Sequence, residues 1–263
     1  MPSDTDWRTP AEEAGNDALQ YSDIAIGYLS RNPRYQTDYR RALGRVRRGT
    51  ISADDATGAL VRRWGLSYHT APEAAFDPRL VVVRPELSPA SIVLAPALPG
   101  FQAARPLDVP ALGAIRARIA FGGFVHFILA DPEGDEHLWI AGPLDEPLAL
   151  MVPYGSNQHT HMAAAERLRR RLRGIPAGPP ALRPGLSRRI HLLMLLRLLD
   201  GRRTGATQRE LAAVLIDPAV RGYSAAEWSD SRERKRIRRW SAEAEELVQG
   251  GYVRLLHGER PGT

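Results

Sequence analysis

The sequence predicts an α+β fold built from an N-terminal helical module, a small antiparallel β element and a C-terminal helix-turn-helix variant. Three observations lead there. Apolar residues recur at three- and four-residue spacing before residue 66 and again after residue 158. Between these stretches, short β-branched runs are bounded by Pro- and Gly-containing turns. Positive charge collects in the last third of the chain. The boundaries expected are 1–66 for the helical module, 76–157 for the β element and 158–257 for the C-terminal domain.

With 263 residues, 43% of them hydrophobic and 25% charged, the chain has an ordinary globular balance. No cysteine is present, which excludes disulfides and thiolate metal sites. Met1-Pro2-Ser3-Asp4-Thr5-Asp6 is acidic and polar where a secretory signal would be basic and then apolar. The apolar run Ile190 to Leu199 is interrupted by His191 and Arg197 and falls short of the roughly 20 residues a membrane span needs. A soluble, cytoplasmic protein without membrane contact is expected.

In the first module, Tyr21, Ile24, Tyr28 and Leu29 share a helical face. Asn32-Pro33 ends that helix and starts the next, since Asn caps well and Pro suits the first helical position. Tyr35, Tyr39 and Leu43 then lie on one side. Ser52 opens a third helix that runs to Trp64, with Gly65 as its stop. Tyr28, Arg31, Asn32, Tyr35 and Tyr39 gather at the junction of two helices. Rings with a polar tip suit a partly wet interface, so these five are read as an interdomain or partner surface. The plainer alternative is that the tyrosines hold two short helices together.

The β element is expected from Phe76 to about Ser156. Leu80 to Val83 and Ser91 to Leu94 read as strands, and Phe121-Gly122-Gly123-Phe124 as a hairpin or bulge. Val125 to Leu129 and His137 to Ile140 flank the turn Asp131 to Asp135, and a further strand covers Leu148 to Val152. His161 to Arg173 reads as a basic amphipathic helix, and Pro176 to Pro184 as a linker.

The rest follows helix-turn-helix grammar. Ser187 is expected to cap a helix over Arg188 to Leu199 that buries Ile190, Leu193, Met194 and Leu198, with Asp200-Gly201 ending it. Thr207 and Glu210 form a capping box for a second helix that buries Leu211, Val214 and Leu215. The connection Asp217 to Ser229 is longer than the usual turn. A helix from about Asp230 to Gln249 follows, with Ile237, Trp240, Ala244, Leu247 and Val248 on one stripe.

Opposite that stripe stand Arg232, Lys235, Arg238 and Arg239, flanked by Arg234 and Arg236. These are six cations in eight residues, and they would repel one another on an isolated helix. Between Glu166 and Trp240 there are 19 Lys+Arg against 7 Asp+Glu, so the remainder of this +6 chain is net acidic. A basic segment on an acidic body is the footprint of a polyanion ligand, and these six residues are the expected DNA contacts. The alternatives are a solvated face, or a membrane-surface helix, which would want larger apolar residues than Ala244 and Ser241 opposite the charges.

Other constellations carry little. His159 and His161, even with His126 and His137, make a weak metal set. Tyr154-Gly155-Ser156 lacks the second glycine of a nucleophile elbow, and Phe121 to Phe124 lacks the lysine of a phosphate loop. No catalysis, cofactor or metal is expected.

Two segments resemble known families. Asp6-Trp7-Arg8, then Tyr28 to Tyr39 and Trp64-Gly65-Leu66, resemble the transcriptional regulator-like domain of proteobacterial mobile elements. Trp228 to Arg239, then Gly250 to Leu256, resemble an extended-turn helix-turn-helix domain whose long connection would match Asp217 to Ser229. The pairing resembles excision activators of integrative and conjugative elements. It implies a sequence-specific activator of excision and transfer genes whose partners are double-stranded DNA, an antiactivator protein and RNA polymerase. Relatives with the C-terminal domain alone imply the rival, an antiactivator that acts by protein contact without DNA. On the activator reading, removal of Met1 to Arg63 is expected to leave a folded protein that binds DNA and fails to activate.

Overall fold

The computed structural model describes residues 7–9, 18–72, 77 and 79–258. Met1 to Asp6, and Phe76 as the expected start of the β element, lie outside them. The fold is α+β. Helices α1 (Tyr21–Leu29), α2 (Pro33–Arg47) and α3 (Ala53–Trp64) come first. The Asn32 side chain accepts from the amides of Arg34 and Tyr35, satisfying donors that the first turn of α2 leaves open. Ser52 caps α3, and Gly65 stops it at φ 83°, a left-handed conformation that favours glycine.

Gly65 feeds strand β1 (Leu66–Tyr68), which pairs antiparallel with β2 (Val81–Val83). Both strands are buried along their whole length. The run Leu80 to Val83 therefore leaves the main sheet and joins the helical module, where Val81 and Val83 share a core with Leu60 and Leu66.

The main sheet comprises β3 (Ile92–Pro96), β4 (Ile115–Phe121), β5 (Phe124–Leu129), β6 (Glu136–Ala141) and β7 (Leu148–Met151), ordered β4-β5-β6-β3-β7. Its pairings are antiparallel except β3 with β6. Phe121 faces Phe124 across a two-residue turn in which Gly122 and Gly123 have φ of 60° and 80°. Positive φ at both central residues suits the twist of a tight hairpin.

Helix α4 (Gln158–Arg171) packs Ala164 and Leu168 on the sheet face formed by Ile92, Phe127, Leu138 and Ile140. Its charges are in part structural. Arg171 donates to Glu136 (3.0 Å) and Asp131 (3.1 Å), and Arg167 to the Gly134 carbonyl (3.2 Å). Arg167 is buried and Arg171 nearly so, and each needs a partner to offset lost hydration. The opposite sheet face, with Ile119, Ile128 and Trp139, meets Val61 of α3 and Val82 of β2.

The C-terminal helices are α5 (Leu186–Arg203), α6 (Gln208–Leu215), α7 (Ala225–Asp230), α8 (Arg232–Glu246) and α9 (Tyr252–Leu256). Helix α5 departs from expectation in three ways. Its N-cap is Gly185 rather than Ser187, and it runs through Asp200-Gly201 to Arg203. It buries Leu192, Leu195, Leu198 and Leu199, while Ile190 is exposed and Leu193 and Met194 are half-buried. The connection after α6 is no bare turn. Pro218–Gly222 forms a 3-10 turn and Ser224 caps α7 through a capping box with Glu227.

One apolar core joins the two ends of the chain. Trp7, Ile24, Tyr28, Leu29 and Tyr35 share it with Leu192, Leu195, Leu211, Ile237, Trp240 and Leu255. Removal of Met1 to Arg63 would open this core to water. The expected folded remainder is therefore replaced by an exposed apolar face on α5 and α9.

Among the described residues, no helix is long and apolar enough to cross a membrane. Among the same residues, no group of three or more His, Asp or Glu is placed to hold a metal ion.

Candidate nucleic-acid interface

Helix α8 is positioned by its own apolar stripe. Ile237, Ala244 and Leu247 are fully buried and Trp240 nearly so, locked against α5 and α6. A polar link reinforces the seat. Glu243 of α8 takes hydrogen bonds from His191 (2.9 Å) and Arg188 (3.3 Å) of α5, and His191 meets the Trp240 ring edge-on at 5.6 Å. The His191 bond, with Arg188 beside it, holds the Glu243 carboxyl below its ordinary pKa.

Ser231 caps the helix by accepting from the Arg234 amide. The six cations then divide. Arg232 pairs with the buried Glu233 at 2.7 Å and keeps its carboxyl below the usual range. Arg234 donates to the Ser229 carbonyl (3.1 Å) and hydroxyl (3.0 Å), tying the end of α7 to α8. Arg236 leans over the Trp240 ring at 5.9 Å. Lys235, Arg238 and Arg239 are exposed and form no ion pair or side-chain hydrogen bond among the described residues. They point furthest from the buried stripe. Acidic residues on the later turns are matched with cations, Glu246 with Arg254 and Glu245 with Arg202.

Arg209 at the start of α6 had no assigned role in the sequence. It donates to the carbonyls of Val220 (3.2 Å) and Arg221 (3.1 Å), and to that of Tyr223. It thereby holds the long connection in place ahead of α8. The Ser224-Ala225-Ala226-Glu227 pattern, a capping signature, was the available sign that this connection contains a helix.

The five residues of the N-terminal junction split as well. The Tyr28 hydroxyl donates to the Leu192 carbonyl of α5 at 2.7 Å. Arg31 grips both Asp200 oxygens at 2.8 and 2.5 Å, and Asn32 donates to the Val248 carbonyl beyond α8 at 3.0 Å. These three bind the module to the C-terminal helices. Tyr35 and Tyr39 stay inside the module, bonded to Ser67 (3.0 Å) and the His69 carbonyl (3.1 Å). Burial pushes the Tyr35 hydroxyl far above its ordinary pKa. With Tyr28, Tyr35 and Tyr39 all about 1% exposed or less, their rings are closed to any further partner.

Residues 151–257, which hold α4 to α9, match the family model described as a T6SS transcription factor DNA-binding domain. Residues 6–69 match the proteobacterial transcriptional regulator-like domain. The matches support a DNA-binding transcriptional regulator. Residues 90–150, which hold most of the five-stranded sheet, match a domain of unknown function. No curated protein matches the chain.

Proposed function

We propose that this regulator is a sequence-specific activator of excision and conjugative-transfer genes on an integrative mobile element, and that it reads DNA through α8. The observation that carries the reading is the unpaired face of Lys235, Arg238 and Arg239, held outward by a fully buried stripe within a segment that matches a DNA-binding family. Phosphate contacts supply most of the affinity, and one or two of these arginines reach base edges. Arg232, Arg234 and Arg236 shape the face and add to its field. An antiactivator protein and RNA polymerase are the further partners this reading implies. The regulator is a cytoplasmic protein with no catalytic role.

A second reading concerns the target alone. The matched family's description names T6SS, so T6SS genes stand beside transfer genes as candidates. Chromatin immunoprecipitation with sequencing from the native host tests both, and enrichment at neither class of promoter refutes the targets named. In solution, Lys235→Ala with Arg239→Ala should abolish duplex binding in an anisotropy titration while leaving the melting temperature nearly unchanged. Undiminished binding by that double variant would remove α8 from the interface.

A further inference from the structure

Helix α2 carries a second basic face. Residues 33–48 contain six arginines and one acid. Tyr35, Tyr39 and Leu43 form the buried stripe, at the four-residue spacing of one helical face. Arg34, Arg41, Arg45 and Arg48, spaced by seven, four and three residues, lie on the opposite side and are exposed. The small residues Thr37 and Gly44 stand between them. Arg40 and Arg47 flank this row.

Internal pairing does not account for the charge. The acid of the helix, Asp38, turns aside to Trp64 Nε1 (3.1 Å) and Arg63 (3.1 Å). Among the described residues, Arg34, Arg41, Arg45 and Arg48 form no ion pair. The negative end of the helix dipole favours cations in the last turn, which explains Arg45 and Arg47 and leaves Arg34 and Arg41 without a reason. Side chains at 41 and 45, and at 45 and 48, are neighbours that repel.

The row is also joined to the DNA-reading helix. Asn32 caps α2 and donates to the Val248 carbonyl just past α8. A groove of about 290 Å³ between these points is lined by Pro33, Arg203, Gln249 and the Arg202–Glu245 pair. Helix α2, which at 15 residues is about 22 Å long, therefore starts beside the end of α8.

We propose that the exposed face of α2 tracks the phosphate backbone of the duplex bound by α8, so that the N-terminal module is a second DNA-contacting surface and not solely an activating one. The inference rests on α8 as the primary contact. Duplex DNA is the occupant that charge complementarity favours, because four arginines in line match a linear polyanion.

The test uses the full chain and a duplex of random sequence, with anisotropy titrations over a range of salt. Arg41→Gln, Arg45→Gln and Arg48→Gln together should lower the magnitude of the slope of log affinity against log salt by about 2 to 3, at roughly 0.9 per phosphate contact. The same three positions changed to Lys should restore it. An unchanged slope in the Gln variant, with the Lys235/Arg239 variant still impaired, would overturn the α2 surface and leave the α8 reading intact. Insensitivity of binding to both sets would overturn both. Intact binding with lost promoter activation in the Gln variant would assign the face to an acidic protein, and that too overturns the proposal.

Discussion

The clamp between Arg31 and Asp200 offers a direct measure of how firmly the N-terminal module is joined to the C-terminal helices. Arg31 makes two hydrogen bonds to the carboxylate and a third, at 2.6 Å, to the Gly27 carbonyl. The Arg31 side chain is 10% exposed and that of Asp200 29%. Replacing Arg31 by Met keeps most of the stem and leaves Asp200 without its partner. Loss of a fully buried pair costs about 3–5 kcal/mol, and exposed pairs are worth about 0.2–1 kcal/mol. Water reaches nearly a third of Asp200, so the expected loss lies between those limits, at about 2 kcal/mol. For a chain of this size that lowers the melting temperature by roughly 4–8 °C. Urea denaturation of the full chain, followed by tryptophan fluorescence and by circular dichroism, should show one transition moved to lower urea in both signals. In a double-mutant cycle, Asp200→Asn should recover at least about 1 kcal/mol of the Arg31→Met penalty, since the stranded charge is gone. Strictly additive single effects, or a module transition that shifts while the C-terminal helices stay put, would refute the coupling.

Two further outcomes follow from the packing. Trp240→Ala should cost on the order of 3 kcal/mol by leaving a cavity under α8 and uncovering His191, read as a fall in melting temperature; an unchanged value would mean that the stripe does not seat the helix. His126 and His137 stack on the sheet face, with Nε2 and Nδ1 3.2 Å apart. Burial pushes His137 down to about 4 and His126 well below its ordinary value. A folded-state pKa below the unfolded one means that the unfolded chain binds more protons in between. Stability should therefore decline as pH falls from about 6.5 toward 4, and His137→Asn should flatten part of that decline in thermal scans. Parallel profiles for the two proteins would show that the pair does not titrate with unfolding.

Local chemistry was the legible part of the sequence. Asn32-Pro33, Ser52 with Gly65, and Thr207 with Glu210 each act within a few residues, and each caps the helix end it was assigned. The turn at Gly122-Gly123 is legible for the same reason. What stayed hidden depends on distant partners. Helix α5 is rich in leucine on several sides, so spacing alone offers more than one apolar stripe. The side that is buried is chosen by α1, α6 and α8, and Ile190 loses to Leu192 and Leu195. The pairing of Val81–Val83 with Leu66–Tyr68 was likewise invisible, because short apolar strands do not announce their neighbour. At the site, the stripe and the opposed cations of α8 could be read from periodicity. Which cations are free could not, since Glu233 and the Ser229 carbonyl claim theirs through three-dimensional contacts. Arg167 and Arg171 are the same lesson in the interior, where net charge counts a buried ion pair as if it faced solvent.

The shared core also sets an order of events on the ribosome. The bond from Tyr28 to Leu192 spans 164 positions of chain, and that from Asn32 to Val248 spans 216. The sheet and α4 lie between these partners and can close on themselves first. Helices α1 and α2 cannot complete their packing until α5, α8 and α9 have emerged. At synthesis rates of about 5–20 residues per second, the first module keeps an unsatisfied apolar surface for roughly 10 to 40 seconds. Helix α8 emerges after α1 and α2, so the module that it packs with is already present. Slower synthesis after Leu192 would lengthen that interval in proportion.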